Sequence, residues 1–101
     1  MNAKKIYTID EIKKKLYSVA QKYNVERIYL FGSYARGEAK AKSDIDLRID
    51  GDLNFGYIKY FGMCGDFQKK FRKRLDLITT DGLDNKFLKA IEKEEVLVYG
   101  S

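Results

Sequence analysis

Two aspartates stand two residues apart in Ser43-Asp44-Ile45-Asp46-Leu47, and a third occupies the middle of Arg74-Leu75-Asp76-Leu77-Ile78. Residues two apart on a strand share a face about 6–7 Å from one another, so the Asp44 and Asp46 carboxylates can converge. Asp76, delivered by another strand, would make the group three-sided. Oxygen-only ligands of this kind suit hard divalent cations, magnesium or manganese, which prefer carboxylates together with substrate phosphates. Upstream, Leu30-Phe31-Gly32-Ser33-Tyr34-Ala35-Arg36-Gly37 joins an apolar run to a glycine-serine turn. Glycine lets backbone approach a phosphate closely, Ser33 adds a hydroxyl donor, and Arg36 can pair with phosphate oxygens through two bonds. A phosphate-cradling turn beside a carboxylate group is apparatus for phosphoryl or nucleotidyl transfer. The spacing is neither GxxxxGK[ST] nor GxGxxG, which argues against an ATPase P-loop and a dinucleotide fold.

Composition narrows the chemistry further. There is no histidine, so Ser-His-Asp catalysis, imidazole acid-base work and most transition-metal sites are excluded. A single cysteine, Cys64, makes neither an internal disulfide nor a zinc site alone. Any proton acceptor must then be a carboxylate, a lysine or a hydroxyl. The formal charge of +5, from 20 basic and 15 acidic residues, favours anionic partners. Most of it reads as solvated helix surface at Lys13, Lys14, Lys15, Lys22, Lys86, Lys89 and Lys93. The run Lys69-Lys70-Phe71-Arg72-Lys73-Arg74 is the one candidate nucleic-acid stripe, and it also falls where a helix end would welcome cations.

The elements that must position these residues follow from periodicity. Thr8 and Glu11 make a capping box, and Ile9, Ile12, Leu16, Val19 and Ala20 recur at helical spacing to about Lys22. Val25 to Phe31 is β-branched and aromatic, a central strand. After the Gly32–Gly37 turn and a polar loop to Lys42, Asp44 to Asp50 alternates, with Ile45, Leu47 and Ile49 opposite Asp44, Asp46, Arg48 and Asp50. Asn54 to Lys73 is predicted helical, with Phe55, Ile58, Phe61, Cys64 (or Gly65), Phe67 and Phe71 facing the sheet, although Gly56, Gly62 and Gly65 weaken it. A third strand holds Asp76 and ends at Asp81-Gly82. Asp84 caps a last helix bearing Phe87, Leu88 and Ile91, and Val96–Tyr99 forms a closing strand. The expected fold is α+β, a two-layer domain over residues 1–101 with a small mixed sheet, helices on one face and an open acidic face. No run of 18 apolar residues exists, and Lys4 and Lys5 precede no signal-type stretch, so a cytoplasmic location without membrane is expected.

Taken singly, each feature has a commonplace reading. A Gly-Ser pair after a strand is ordinarily a turn, and Asp-x-Asp is ordinarily a solvated face. Arg36 could simply brace its loop through Glu38 or Asp44. What distinguishes this chain is their coincidence, in order, on consecutive strands aimed at one face.

Gly32 to Gly37, five residues, then Ser43 to Leu47 resembles the signature GSxARG…SDIDL of the minimal nucleotidyltransferases, small members of the DNA polymerase beta-like superfamily. The resemblance spans essentially the whole chain. It implies a nucleotidyltransferase fold with Asp44, Asp46 and Asp76 as metal ligands and catalytic carboxylates, and two Mg²⁺ ions, or Mn²⁺. It also implies nucleotide contacts from Gly32, Ser33, Arg36 and Ser43. The family further implies ATP as donor and an antitoxin that transfers AMP to a tyrosine of a cognate HEPN-domain toxin, with which it could assemble. The alternatives are an antitoxin that neutralises by binding alone, or a transferase acting on a small molecule or an RNA end. Arg48 departs from the family pattern; it could contact acceptor or nucleotide, brace Asp46, or be an exposed strand arginine.

Overall fold

The computed structural model describes residues 5–101, so Lys4 lies outside the described residues. Three helices and four strands follow in the order α1 (Ile9–Lys22), β1 (Arg27–Phe31), β2 (Ile45–Asp50), α2 (Tyr57–Lys69), β3 (Leu75–Thr79), α3 (Asn85–Glu92) and β4 (Val96–Tyr99). The helix starts obey the local signals. Thr8 Oγ1 accepts from the Glu11 N–H while Glu11 Oε1 accepts from the Thr8 N–H, and Asp84 accepts from the Lys86 and Phe87 amides. At the end of α1, Tyr23 is the C-cap and Asn24 turns the chain at φ 55°.

The sheet order is β3-β2-β1-β4, with β1 central as expected. β1 pairs antiparallel with β2 and with β4, whereas β2 and β3 are parallel. A parallel pair needs a long crossover, which α2 supplies. α1 and α2 cover one face. There Ile12, Leu16, Ile28, Leu30, Ile45, Leu47, Ile49, Met63 and Phe67 are essentially inaccessible, each contributing roughly 1.5–3 kcal/mol by burial.

Three expectations are revised. β1 begins at Arg27 rather than Val25, because the Val25 N–H is drawn back to Ala20 O at the end of α1. α2 runs from Tyr57 to Lys69, with Gly56 as its N-cap at φ 90° rather than an interior defect, and the basic run continues past its end. Its buried side is Met63 and Phe67, while Ile58 and Phe61 are 91% and 65% exposed. A repeat of three residues drifts by about 60° per step on a helix of 3.6 residues per turn, so that spacing wound off the core face. Finally, α3 lies against the acidic side of the sheet, its Phe87 edge-on to Phe31 at 6.2 Å, while Asp44 and Asp76 stay exposed.

Candidate active site

The acidic residues meet through strand register. Asp46 is the register partner of Asp76 across the parallel β2–β3 ladder, so the two carboxylates leave the same face of neighbouring strands, whose backbones run about 4.8 Å apart. Asp44 sits one residue before β2 on the same alternation, exposed at the mouth. Leu75 and Leu77 pair with Ile45 and Leu47 on the reverse, core-facing side. Asp46 is the half-buried member. Burial first, then the charges of Asp76 and Asp44, push its carboxyl up to about 6, with Arg36 pulling weakly the other way.

Gly32 follows directly from β1, and Phe31 is the register partner of Asp46. Its φ is +75°, and a Cβ placed on it would overlap Asp46 Oδ2. Only glycine allows both the backbone turn and the contact with that carboxylate. The next residues coil back: the Arg36 N–H donates to Gly32 O at 3.1 Å and the Glu38 N–H to Ser33 O at 2.9 Å. Ser33 is half-buried within this coil. Arg36 donates from Nε to Glu38 Oε1 and from Nη1 to Glu94 Oε2, both at 2.9 Å. The Gly32 N–H donates to the same Glu94 oxygen at 2.8 Å. Ser43 closes the preceding turn, its Oγ accepting from the Lys40 N–H at 2.8 Å.

Sequence reasoning missed several supports. Lys73, read as part of a basic stripe, is buried; its Nζ donates to the Tyr34 hydroxyl at 2.7 Å and to Lys40 O at 3.3 Å. It pins the Gly32–Ser43 loop to the start of β3, and the basic run is interrupted there and at buried Phe71. Arg48 is not exposed either. It forks onto Glu95 at 3.2 and 2.7 Å, reaches Thr80 Oγ1 at 2.7 Å, and lies 4.3 Å from the centroid of the Tyr29 ring. That arrangement ties β2 to the residue that leads into β4. Glu94 and Glu95 carried no signal beyond a charged stretch ahead of the last strand.

The site is a shelf rather than a cleft. A hollow of about 640 Å³ lies elsewhere, between α1 and β4, lined by residues including Tyr17, Gln21 and Tyr99. Among the described residues, no three acidic or cysteine side chains are gathered closely enough to enclose a metal ion. Nor is any helix long and apolar enough to cross a membrane.

Known proteins resemble this chain in sequence and in fold. The profile of the family described as polymerase beta, nucleotidyltransferase, matches residues 14–101. A Methanocaldococcus jannaschii protein with the provisional name of protein adenylyltransferase is 34% identical over 96 residues, covering 89% of this chain and 96% of its own length. The protein adenylyltransferase MntA of Thermococcus cleftensis is 30% identical over 95 residues, covering 90% of this chain and 96% of its own. A chain from the complex of tri-AMPylated Shewanella oneidensis HEPN toxin with MNT antitoxin superposes with a TM-score of 0.70 at 16% identity, over 93% of this chain and 74% of that one. At that identity the likeness is one of fold.

Proposed function

The chain belongs to the polymerase beta nucleotidyltransferase family, and from that premise we propose that it is an antitoxin transferring AMP from ATP to a tyrosine hydroxyl of a cognate HEPN toxin. The observation that carries the chemistry is the register pairing of Asp46 with Asp76 beside Gly32. Support for the acceptor comes from the adenylyltransferase names of its relatives and from the toxin complex that shares its fold. An open shelf also suits an acceptor carried on another protein.

The residues fit a divalent cation. Asp46 is raised to about 6 by burial and by two neighbouring negative charges, an electrostatic cost that a hard cation would offset. Asp46 and Asp76, register partners on neighbouring strands, would hold it, and Asp44 at the mouth would complete the set as the ion draws the three carboxylates together; Mg²⁺ is the natural choice for all-oxygen ligands. When bound, such ions supply charge neutralisation for the triphosphate and acidify the attacking hydroxyl. The protein's own groups do the rest. The Gly32 amide and the Ser33 hydroxyl seat the β- and γ-phosphates, and Arg36 pairs with their oxygens. Ser43 keeps the loop before Asp44 closed. The acceptor oxygen bonds to the α-phosphorus, the bond to the bridging β-oxygen breaks, and pyrophosphate leaves. Asp76, exposed on the shelf, accepts the proton of the acceptor hydroxyl.

Incubation with α-labelled ATP, Mg²⁺ and a cognate HEPN toxin should label the toxin. Undiminished labelling by a D44N/D46N variant would sink the proposal. A second reading, neutralisation by contact alone, draws on the exposed Tyr57, Ile58 and Phe61 of α2. It predicts full neutralisation by the double variant, with no gain in toxin mass.

A further inference from the structure

The Gly32 amide and the Arg36 guanidinium, assigned above to phosphate, converge on one atom of the chain itself. Glu94 Oε2 accepts from both, at 2.8 and 2.9 Å, although Glu94 lies 62 residues beyond Gly32 in sequence. It occupies the short link between α3 and β4, and its side chain is 30% exposed. The backbone of that link is fixed. The Glu94 and Glu95 amides both donate to Ile91 O, Ile91 is buried, and Glu95 is held by Arg48. The freedom left at Glu94 is in its own side-chain torsions, with solvent on one side to receive it.

We propose that Glu94 is an internal stand-in for phosphate, seated on Gly32 and Arg36 and displaced when the nucleotide binds. The inference rests on reading that pair as the phosphate seat. Carboxylate and phosphate oxygens are both anionic acceptors that take charge-assisted N–H bonds at about 2.7–2.9 Å, so they compete for the same donors. A phosphate oxygen can take both donors only when Glu94 has swung away. Once displaced, the glutamate charge stays close to the triphosphate. A triphosphate whose charge is reduced by a divalent cation therefore meets less repulsion than a bare one. Glu94 weakens the binding of every polyphosphate, and of uncomplexed polyphosphate most. It acts as a filter for the cation-complexed form that the reaction uses.

A merely structural role predicts the opposite sign. If Glu94 served only to brace the turn from Gly32 to Gly37, removing it would loosen the donors and weaken binding.

Dissociation constants for ATP with Mg²⁺, and for inorganic triphosphate without it, decide between the two when measured by calorimetry on wild type, E94Q and E94A. The expected result is binding of Mg-ATP about tenfold tighter in E94A, from release of two charge-assisted bonds. The gain for bare triphosphate should be larger still, and E94Q, neutral but the same shape, should fall between. Thermal melts show which variants are folded; should E94A melt early, E94Q decides alone. Unchanged or weaker binding in folded variants overturns the inference. If wild type labels its toxin while neither variant binds more tightly, the inference falls and the enzymatic reading stands. Tighter binding without toxin labelling supports the inference and removes only the proposed acceptor. Wild type binding neither ATP nor triphosphate overturns both.

Discussion

Asp46 and Asp76 are register partners on adjacent parallel strands, 30 positions apart in sequence and side by side on one face. Their roles separate by environment. Asp46 is half-buried against Gly32, whereas Asp76 is exposed.

Asp76→Asn should therefore leave nucleotide binding nearly intact and strike at transfer. The expected loss in kcat is at least about 100-fold, the usual scale for a missing general base, with the ATP dissociation constant within about threefold of wild type. Single-turnover labelling of the toxin, run beside ATP titration, measures both. Loss of binding and rate in equal measure would instead make Asp76 a binding residue.

The raised carboxyl of Asp46 gives a signed pH dependence. Its pKa is about 6 in the folded chain against 3.8 ordinarily, so the folded state holds the proton more tightly. The contribution to stability is then complete below about pH 4 and lost as the pH rises through about 6, on the order of 1–2 kcal/mol after solvent screening. Metal-free D46N should melt near wild type at pH 4 and several degrees above it at pH 7. Added Mg²⁺ should raise the melting temperature of wild type at pH 7 and leave D46N unmoved.

Gly32→Ala combines a left-handed backbone with an overlap on Asp46. The conformational penalty alone is about 1 kcal/mol, and the displaced carboxylate adds to it. Melting should fall by several degrees, and ATP affinity by at least about tenfold. A variant with wild-type affinity would mean that this turn does not touch the nucleotide.

Arg48 and Glu95 form an ion pair with side chains only 6% and 10% exposed. Removing one partner strands a charge, at a cost of about 3–5 kcal/mol. At about 4–8 °C per kcal/mol for a domain of this size, R48M or E95Q alone should lower the melting temperature by more than about 10 °C. The R48M/E95L double variant should recover part of that loss, as a thermal melt will show.

On α2, Met63→Ala should cost about 2–5 kcal/mol, whereas Ile58→Ala should cost less than about 0.5. Urea melts of the two variants test which side of the helix is packed.

The sequence was most legible where one local rule governed. The capping box and heptad-like spacing of α1 and the strict alternation of β2 each have a single solution, and they placed Asp44 and Asp46 on one face. α2 was harder because Tyr57, Ile58, Tyr60, Phe61, Met63, Cys64 and Phe67 present apolar side chains all round. Periodicity cannot then choose the buried face; the crossover from β2 to β3 does. Lys73 looked like a surface charge because nothing nearby in sequence shows that Tyr34 waits for it. Glu94 was silent for the same reason, since its partners are 58 and 62 positions away.

The crossover through α2 has a mechanical consequence. The placement of Asp76 beside Asp46 depends on how firmly Met63 and Phe67 clamp the opposite surface of the sheet. A slip of one residue along β3 would swing Asp76 inward and expose Leu75 and Leu77. Substitutions under that helix, remote from any substrate, should loosen the alignment of the two carboxylates well before the protein denatures, so that on gentle heating turnover fades first and cooperative melting comes later.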